Sequence, residues 1–247
     1  MKWGRPRSTD ATVPSGPRKN AGPRPGSKEP LKRAVEQTTG YSALGRHGEV
    51  MQALGRSLAE EGRTAEAADV LRGAVLAFRA DGDAGRTAGA LTDWGVSLTG
   101  LGQVEAALVA HEAALDLVGQ LGDWRAEGVV LTNLGVALSC ARRYEDAIEA
   151  FGRAATLLTV AGASAREAMA LGGKGRALAK LGRYDEAVST LEAAAEAFRT
   201  AGDTRHEGEL QAYLLITLQR AGRSAKPEVQ AEVAITEPLR LQAVRAS

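Results

Sequence analysis

Small and apolar residues recur in this chain at a constant spacing of 40 residues, without insertions. Two of the series consist of glycine, namely Gly55, Gly95, Gly135 and Gly175, and Gly82, Gly122, Gly162 and Gly202. Two alanine series and one leucine series keep the same step: Ala67, Ala107, Ala147 and Ala187; Ala74, Ala114, Ala154 and Ala194; and Leu58, Leu98, Leu138 and Leu178. A fixed period of this length is typical of proteins in which one supersecondary unit stacks on the next.

Each unit predicts two amphipathic helices joined by a short turn. In the third unit, Leu131, Leu134 and Leu138 form the apolar stripe of a first helix, and the stripe of a second helix begins at Ala147. Gly135 falls inside the first helix, where a glycine costs roughly 1 kcal/mol relative to alanine. Because Gly135 and Ala147 are the smallest and most regular positions of the unit, we expect them to face each other and to let the helix axes approach closely.

The linkers between units contain signals that end one helix and begin the next. The second glycine series follows the second helices, where a left-handed conformation is easiest for glycine. Three aspartates follow these glycines and are predicted N-caps: Asp83, Asp123 and Asp203. The remaining linker has no aspartate, and Ser164 with Glu167 matches a capping box there.

The spacing of these residues within a unit resembles the signature of the tetratricopeptide repeat family. The matching residues of the third unit are Leu131, Leu134, Gly135, Leu138, Tyr144, Ala147, Phe151 and Ala154. The resemblance covers residues 46–221 and implies an all-α fold, a right-handed α-solenoid of helix-turn-helix repeats. The period of 40 exceeds the usual length of about 34 residues. It is similar to the long repeats of kinesin light chains and of the C-terminal arrays of bacterial STAND-type regulators.

The period divides the chain into a regular solenoid with less regular ends. Full units are predicted at about 46–85, 86–125, 126–165 and 166–205, followed by the first helix of a fifth unit at 206–221. Residues 31–45 overlay part of a second helix and predict a half-repeat or N-terminal cap. Pro227 occupies an alanine position of the period, so we expect a degenerate C-terminal cap and a frayed tail at 222–247.

The start of the chain differs from the rest in charge and proline content. Residues 1–33 contain nine Lys or Arg and two acids, whereas the remainder contains 22 bases and 28 acids. Six of the eight prolines lie in residues 1–30. Such a segment buries too little apolar surface to offset the entropy of ordering. We therefore predict a disordered basic arm at 1–30 in front of an acidic array.

The sequence contains no recognisable group of the reactive side chains that an enzyme needs. His47, His111 and His206 lie far apart, and His111 takes a core position of a second helix. The stretch "LGGKGR" lacks the first glycine and the Ser or Thr of a phosphate loop, and Cys140 has no His or acid in fixed partnership. We expect no enzymatic activity, no cofactor and no metal site. A single cysteine and the lack of a long apolar run favour a cytoplasmic location away from membranes.

In tetratricopeptide repeat proteins the first helices line a concave groove, and the resemblance implies a partner-binding site there. The candidate positions lie just before and just after the repeat glycine of each first helix, with Lys180 one turn further on. They are Gln52, Arg56, Thr92, Asp93, Val96, Thr132, Asn133, Val136, Arg176, Lys180, Tyr213 and Ile216. The clamp with which relatives bind chaperone C-termini is not reproduced, so chaperone tails are not expected partners.

These observations favour a protein–protein interaction scaffold or regulatory module that binds a peptide or protein segment in the groove. The alternative is the effector- or peptide-sensing part of a signalling ATPase or transcriptional-regulator system, which the half-repeat behind a low-complexity start favours. Nucleic acid is not expected to bind the net-acidic array. Self-association stays open.

Overall fold

The computed structural model describes residues 43–223, and this range consists of α-helices joined by turns of two or three residues, with no strand. The helices are α1 (Ala43–Glu60), α2 (Thr64–Asp81), α3 (Ala84–Gly100), α4 (Val104–Leu121), α5 (Trp124–Cys140), α6 (Tyr144–Val160), α7 (Ser164–Lys180), α8 (Tyr184–Ala201) and α9 (Thr204–Arg220). The arm predicted at 1–30, most of the cap predicted at 31–45 and most of the tail predicted at 222–247 lie outside the described residues.

Residues in the left-handed conformation end the helices at an interval of 20 residues. Glycines with φ between +65° and +78° occupy eight of these positions: Gly62, Gly82, Gly102, Gly122, Gly162, Gly182, Gly202 and Gly222. The remaining position holds Arg142, with a φ of +61°. Because helix and turn together always span 20 residues, first and second helices have nearly equal lengths of 17 or 18 residues.

The helix starts confirm the predicted aspartate caps and correct the predicted capping box. The carboxylates of Asp83, Asp123 and Asp203 each accept a hydrogen bond from the backbone N–H three residues later. The capping box at Ser164 is wrong, because Ala163 occupies the N-cap without a side-chain bond and α7 begins at Ser164 itself. The cap always directly follows the linker glycine, whatever residue stands there.

The helices stack as an all-α solenoid, as predicted. Each first helix pairs with the second helix that follows it, and each second helix packs against the next first helix. Consecutive first helices (α1, α3, α5, α7 and α9) also contact each other, whereas no two second helices do so within residues 43–223. The array therefore curves with its first helices on the inner side.

The glycines inside the first helices make room for a large side chain of the paired second helix. A Cβ added at Gly135 would lie 2.8 Å from Cε1 of Phe151, and one added at Gly175 would lie 2.6 Å from Cγ of Leu191. We call such a glycine a seat, and the second-helix residue 16 positions later its occupant. Ala147 was expected to face Gly135. It is fully buried, but Phe151 is the side chain that requires the glycine.

The run "GGKG" at residues 172–175 lies inside α7, and its glycines contact three different helices. A Cβ at Gly172 would lie 3.1 Å from Cδ2 of Leu210 on α9, and one at Gly173 would lie 2.5 Å from Cζ of Phe151 on α6. The third glycine of the run is the seat for α8. Phe151 is thus held between Gly135 of its own unit and Gly173 of the next, which explains this run by packing alone.

The second unit places a histidine on its seat. A Cβ at Gly95 would lie 2.5 Å from Cε1 of His111. His111 is fully buried, as its core position predicts, and neither ring nitrogen has a hydrogen-bond partner within the described residues. Burial lowers the pKa of His111 to about 4, because the charged imidazolium loses its hydration there. The ring is therefore neutral at pH 7.

Candidate functional site

The exposed side chains of the first helices form what we call the inner face of the solenoid. The position after the seat is exposed in every first helix, and its residues are Arg56, Val96, Val136, Arg176 and Ile216. The three apolar members are 40–48% exposed. Since consecutive first helices touch, these side chains form one row across the array, which we call the seat-adjacent row. Apolar groups exposed at the same repeat position mark a contact surface better than scattered ones do.

A charged cluster joins α1 and α3 at the start of this row. Oδ2 of Asp93 accepts hydrogen bonds from Nε2 of Gln52 and from Nε of Arg56, each 2.7 Å long. The Asp93 side chain is 26% exposed and that of Arg56 57%. The structure thus brings three predicted site residues together. The carboxylate is already paired, so a partner would meet the exposed guanidinium edge and the apolar stem of Arg56 here.

The middle of the inner face presents less hydrogen-bonding capacity than the sequence predicts. The hydroxyls of Thr92 and Thr132 each donate a 2.8 Å hydrogen bond to the carbonyl four residues earlier in their own helix. Thr92 is also buried. Asn133 is half-buried, and its amide forms no hydrogen bond with another described residue. Asn133 is therefore the polar group of this region that stays available to a ligand.

The far end of the inner face is cationic. Arg176 and Lys180 are exposed one turn apart on α7, and neither forms an ion pair with another described residue. Tyr213 is half-buried and packs against the cluster that contains Leu178. Burial raises the pKa of Tyr213, while the charges of Arg176 and Arg220 oppose that shift. Tyr213 keeps its proton at pH 7 and contributes packing as well as surface.

An open groove of about 480 Å³ lies on the inner face between α1, α3, α5 and α7. Its walls include Asp93 and further residues that the sequence does not predict as site residues, among them Asp123, Arg125, Val129 and Arg166. Arg125 and Val129 precede Asn133 by eight and four residues. Residues at these intervals share a helix face, so extending the predicted stripe toward the helix N-terminus would have found both.

Charge is segregated between the two sets of helices. The first helices α1, α3, α5, α7 and α9 contain ten Lys or Arg and seven Asp or Glu, whereas α2, α4, α6 and α8 contain four and thirteen. The first helices therefore carry a small excess of positive charge, whereas the second helices are strongly negative. An acidic ligand is attracted to the inner face and repelled from the outer one.

Residues 43–223 contain no cluster of His, Cys, Asp and Glu side chains that could hold a metal ion. Among the helices of this range, none is both long and apolar enough to cross a membrane. Cys140 is the last residue of α5 and is exposed.

Family models described as tetratricopeptide repeat match residues 86–159 and 170–200. These stretches contain three of the seats, each together with its occupant. The chain contains tetratricopeptide repeats. A search of the curated proteins finds no match to it.

Solved structures resemble the tetratricopeptide array over most of its length. A crystal structure of BtubC (BKLC) from P. vanneervenii is 19% identical with a TM-score of 0.71, and the match covers 86% of this chain and 89% of that one. A Rap protein complexed with competence and sporulation factor is 16% identical with a TM-score of 0.64, and the match covers 78% of this chain and 53% of that one. A STAND protein with a tetratricopeptide repeat sensor from Pyrococcus horikoshii is 18% identical with a TM-score of 0.64, and the match covers 85% of this chain and 32% of that one. These likenesses show a shared fold.

Proposed function

We propose that this tetratricopeptide repeat protein is a non-enzymatic interaction scaffold or regulatory module that binds a peptide or protein segment along its inner face. The observation that carries the proposal is the seat-adjacent row, in which Val96, Val136 and Ile216 stay exposed beside Arg56 and Arg176. Apolar side chains held on rigid helices at regular intervals suit a segment that inserts its own apolar side chains between them.

The charge of the inner face defines the class of segment. Arg125, Arg166, Arg176 and Lys180 form no ion pair with other described residues, so their charges are available to a ligand. Carboxylates of a bound segment would meet them at charge-assisted hydrogen-bond distance. The proposed ligand is therefore an acidic segment with interspersed apolar residues, and its binding weakens as salt rises.

A second candidate is the effector- or peptide-sensing part of a signalling ATPase or transcriptional-regulator system. It is favoured by the STAND protein whose tetratricopeptide repeats are called a sensor, and by the Rap protein solved with a bound factor. Under this reading the chain acts on a protein with a nucleotide-binding domain. Recovery of such a protein with the full chain, in a complex that survives purification, distinguishes this candidate from a general scaffold.

The inner-face proposal is tested by quantitative affinity capture with paired variants. Asn133→Ala with Arg176→Glu changes the inner face. Thr156→Ala with Arg72→Glu makes one polar-to-alanine change and the same Arg→Glu change at exposed positions of second helices. Both variants are first checked for unchanged helicity and unfolding midpoint.

The proposal predicts that the inner-face variant loses at least ten-fold in recovered partner, while the second-helix variant recovers the wild-type amount. Equal recovery with both variants would contradict it. Loss with the second-helix variant alone would place the binding surface on the outer side instead.

A further inference from the structure

The chain itself contains a segment with the chemistry that the inner face is proposed to bind. Residues 227–239, which follow the described range, have the sequence "PEVQAEVAITEPL". This stretch carries Glu228, Glu232 and Glu237 and no Lys or Arg, with Val and Ile between the acids. Its charge and apolar residues complement the cationic and aliphatic groups of the inner face.

The repeat pattern does not predict that this segment forms the second helix of a fifth unit. One repeat after Gly175, the seat position of α9 holds Leu215, so no glycine there makes room for a large occupant. One repeat after Leu191, the occupant position holds Ala231. The glycine and large side chain that pair the helices of the four preceding units are both missing. The sequence thus does not commit the segment to packing on α9.

The length of chain is sufficient for the segment to reach the inner face. The described range ends three residues beyond α9, at Arg223, and 24 residues follow. An extended chain rises roughly 3.3–3.6 Å per residue, so the ten residues from Glu228 to Glu237 span roughly 30 Å. Packed helices lie roughly 8–10 Å apart. The 14 residues from Arg223 to Glu237 span roughly 46–50 Å. The segment can therefore pass from the C-terminal end of α9 to Arg176 and on to Arg166, which lies about 15 Å earlier along α7.

We infer that residues 228–237 dock on the inner face of their own chain and compete there with the external ligand. This inference rests on the peptide-binding function proposed above and adds its regulation. The outer side does not offer an alternative, because thirteen acids against four bases on the second helices repel three more glutamates. A partner must then displace the segment before it binds, and removing the glutamates exposes the inner face.

Cys140 provides a natural probe for this contact. It is the only cysteine, it is exposed, and it lies four residues after Val136 on the same side of α5. A nitroxide attached to Cys140 of the full chain enhances the nuclear relaxation of amide protons that lie near it on the inner face. The measurement is the relaxation enhancement at the amides of residues 228–237 by NMR.

The inference predicts strong enhancement in the wild type and at least a five-fold decrease in the variant with Glu228→Gln, Glu232→Gln and Glu237→Gln. The matched control removes three exposed glutamates from second helices, with Glu105→Gln, Glu112→Gln and Glu149→Gln, and keeps the wild-type enhancement. No enhancement in the wild type, or the same enhancement in both variants, would overturn the inference. So would enhancement that appears only between a nitroxide-labelled chain and a separate isotope-labelled chain, since this places the segment on a second copy.

A companion measurement separates the inference from the function on which it rests. The captured partner is titrated onto the wild type and onto the triple Gln variant, and the inference predicts at least three-fold tighter binding to the variant. Equal affinities together with dependence on Asn133 and Arg176 would reject the docked segment and leave the proposed function intact. Equal affinities without that dependence would reject both.

Discussion

The second and third units share one helix-pair geometry but differ in the side chain that fills the seat. In the third unit the occupant is Phe151, which contacts Gly135 and also Gly173 of the next unit. In the second unit the occupant is His111, which is fully buried on Gly95 with both ring nitrogens unpaired. The fold therefore depends on the volume that the occupant side chain fills. The chemistry of that side chain determines the stability of the unit and how this stability changes with pH.

The largest loss of stability is expected when the side chain of Phe151, the occupant of the third seat, is removed. Phe151→Ala removes a ring that packs on α5 and α7 together, so we expect the free energy of unfolding to fall by about 3–5 kcal/mol. Urea unfolding followed by circular dichroism measures the loss. Leu76→Ala, at a 61% exposed position of α2, serves as the control and should change stability by less than about 0.5 kcal/mol. Similar losses at the two positions would mean that the ring is not held as described.

Acid is expected to weaken the second unit selectively. The pKa of His111 is lowered to about 4 in the folded chain, whereas an unfolded histidine titrates near 6.5. Between these values the unfolded state binds a proton that the folded state does not, so stability falls as pH decreases from 6.5 to 4. The full loss amounts to about 3 kcal/mol. Urea unfolding of the wild type and of the His111→Leu variant at pH 7, 6, 5 and 4.5 measures this loss. If the difference between their free energies of unfolding stays constant with pH, the assignment is refuted.

His111→Leu itself should stabilise the chain at pH 7. Leucine occupies the same repeat position at Leu71 and Leu191, and it replaces a ring whose buried donor and acceptor have no partner. We expect a gain of about 1–3 kcal/mol, the penalty for leaving such groups unsatisfied. The unfolding midpoint at pH 7 measures it. A loss of stability would indicate that the imidazole makes an interaction that the described residues do not provide.

A smaller gain is expected at the turn between α5 and α6. Arg142 adopts a φ of +61° at a position where the neighbouring turns have glycine. Arg142→Gly removes that strain and should stabilise the third unit by about 1 kcal/mol. The converse variant, Gly182→Arg, should destabilise the fourth unit by a similar amount. Melting temperatures that move in the same direction in both variants would contradict the role assigned to the turn.

The sequence predicts the architecture well because the repeat period fixes where helices begin and end. Asp83, Asp123 and Asp203 cap their helices as expected, and the "GGKG" run lies in a helix. The capping box predicted at Ser164 is wrong because it rests on a local motif alone, whereas the period puts the cap at Ala163. Period and local chemistry together thus predict helix ends better than a motif does alone.

The inner face was predicted less completely, because its side chains interact across units. The contacts of Asp93 with Gln52 and Arg56 span 41 and 37 residues. Such contacts join residues about one repeat apart on neighbouring first helices, and the pattern within a single helix does not show them. The occupant of Gly135 was missed for a related reason, since a series of small residues does not show which large side chain fills the space.

A double-mutant cycle at Gly135 and Phe151 tests the seat most directly. In the wild type, Gly135→Ala places a Cβ 2.8 Å from the ring and should destabilise the chain by about 1–3 kcal/mol. In the Phe151→Ala background the same change should stabilise it by up to about 1 kcal/mol, because the space is open and alanine favours the helix. Gly152→Ala, whose Cβ would meet only Lys174 Nζ at 3.9 Å, should stabilise both backgrounds equally. If Gly135→Ala has the same effect in both backgrounds, Phe151 does not occupy the seat.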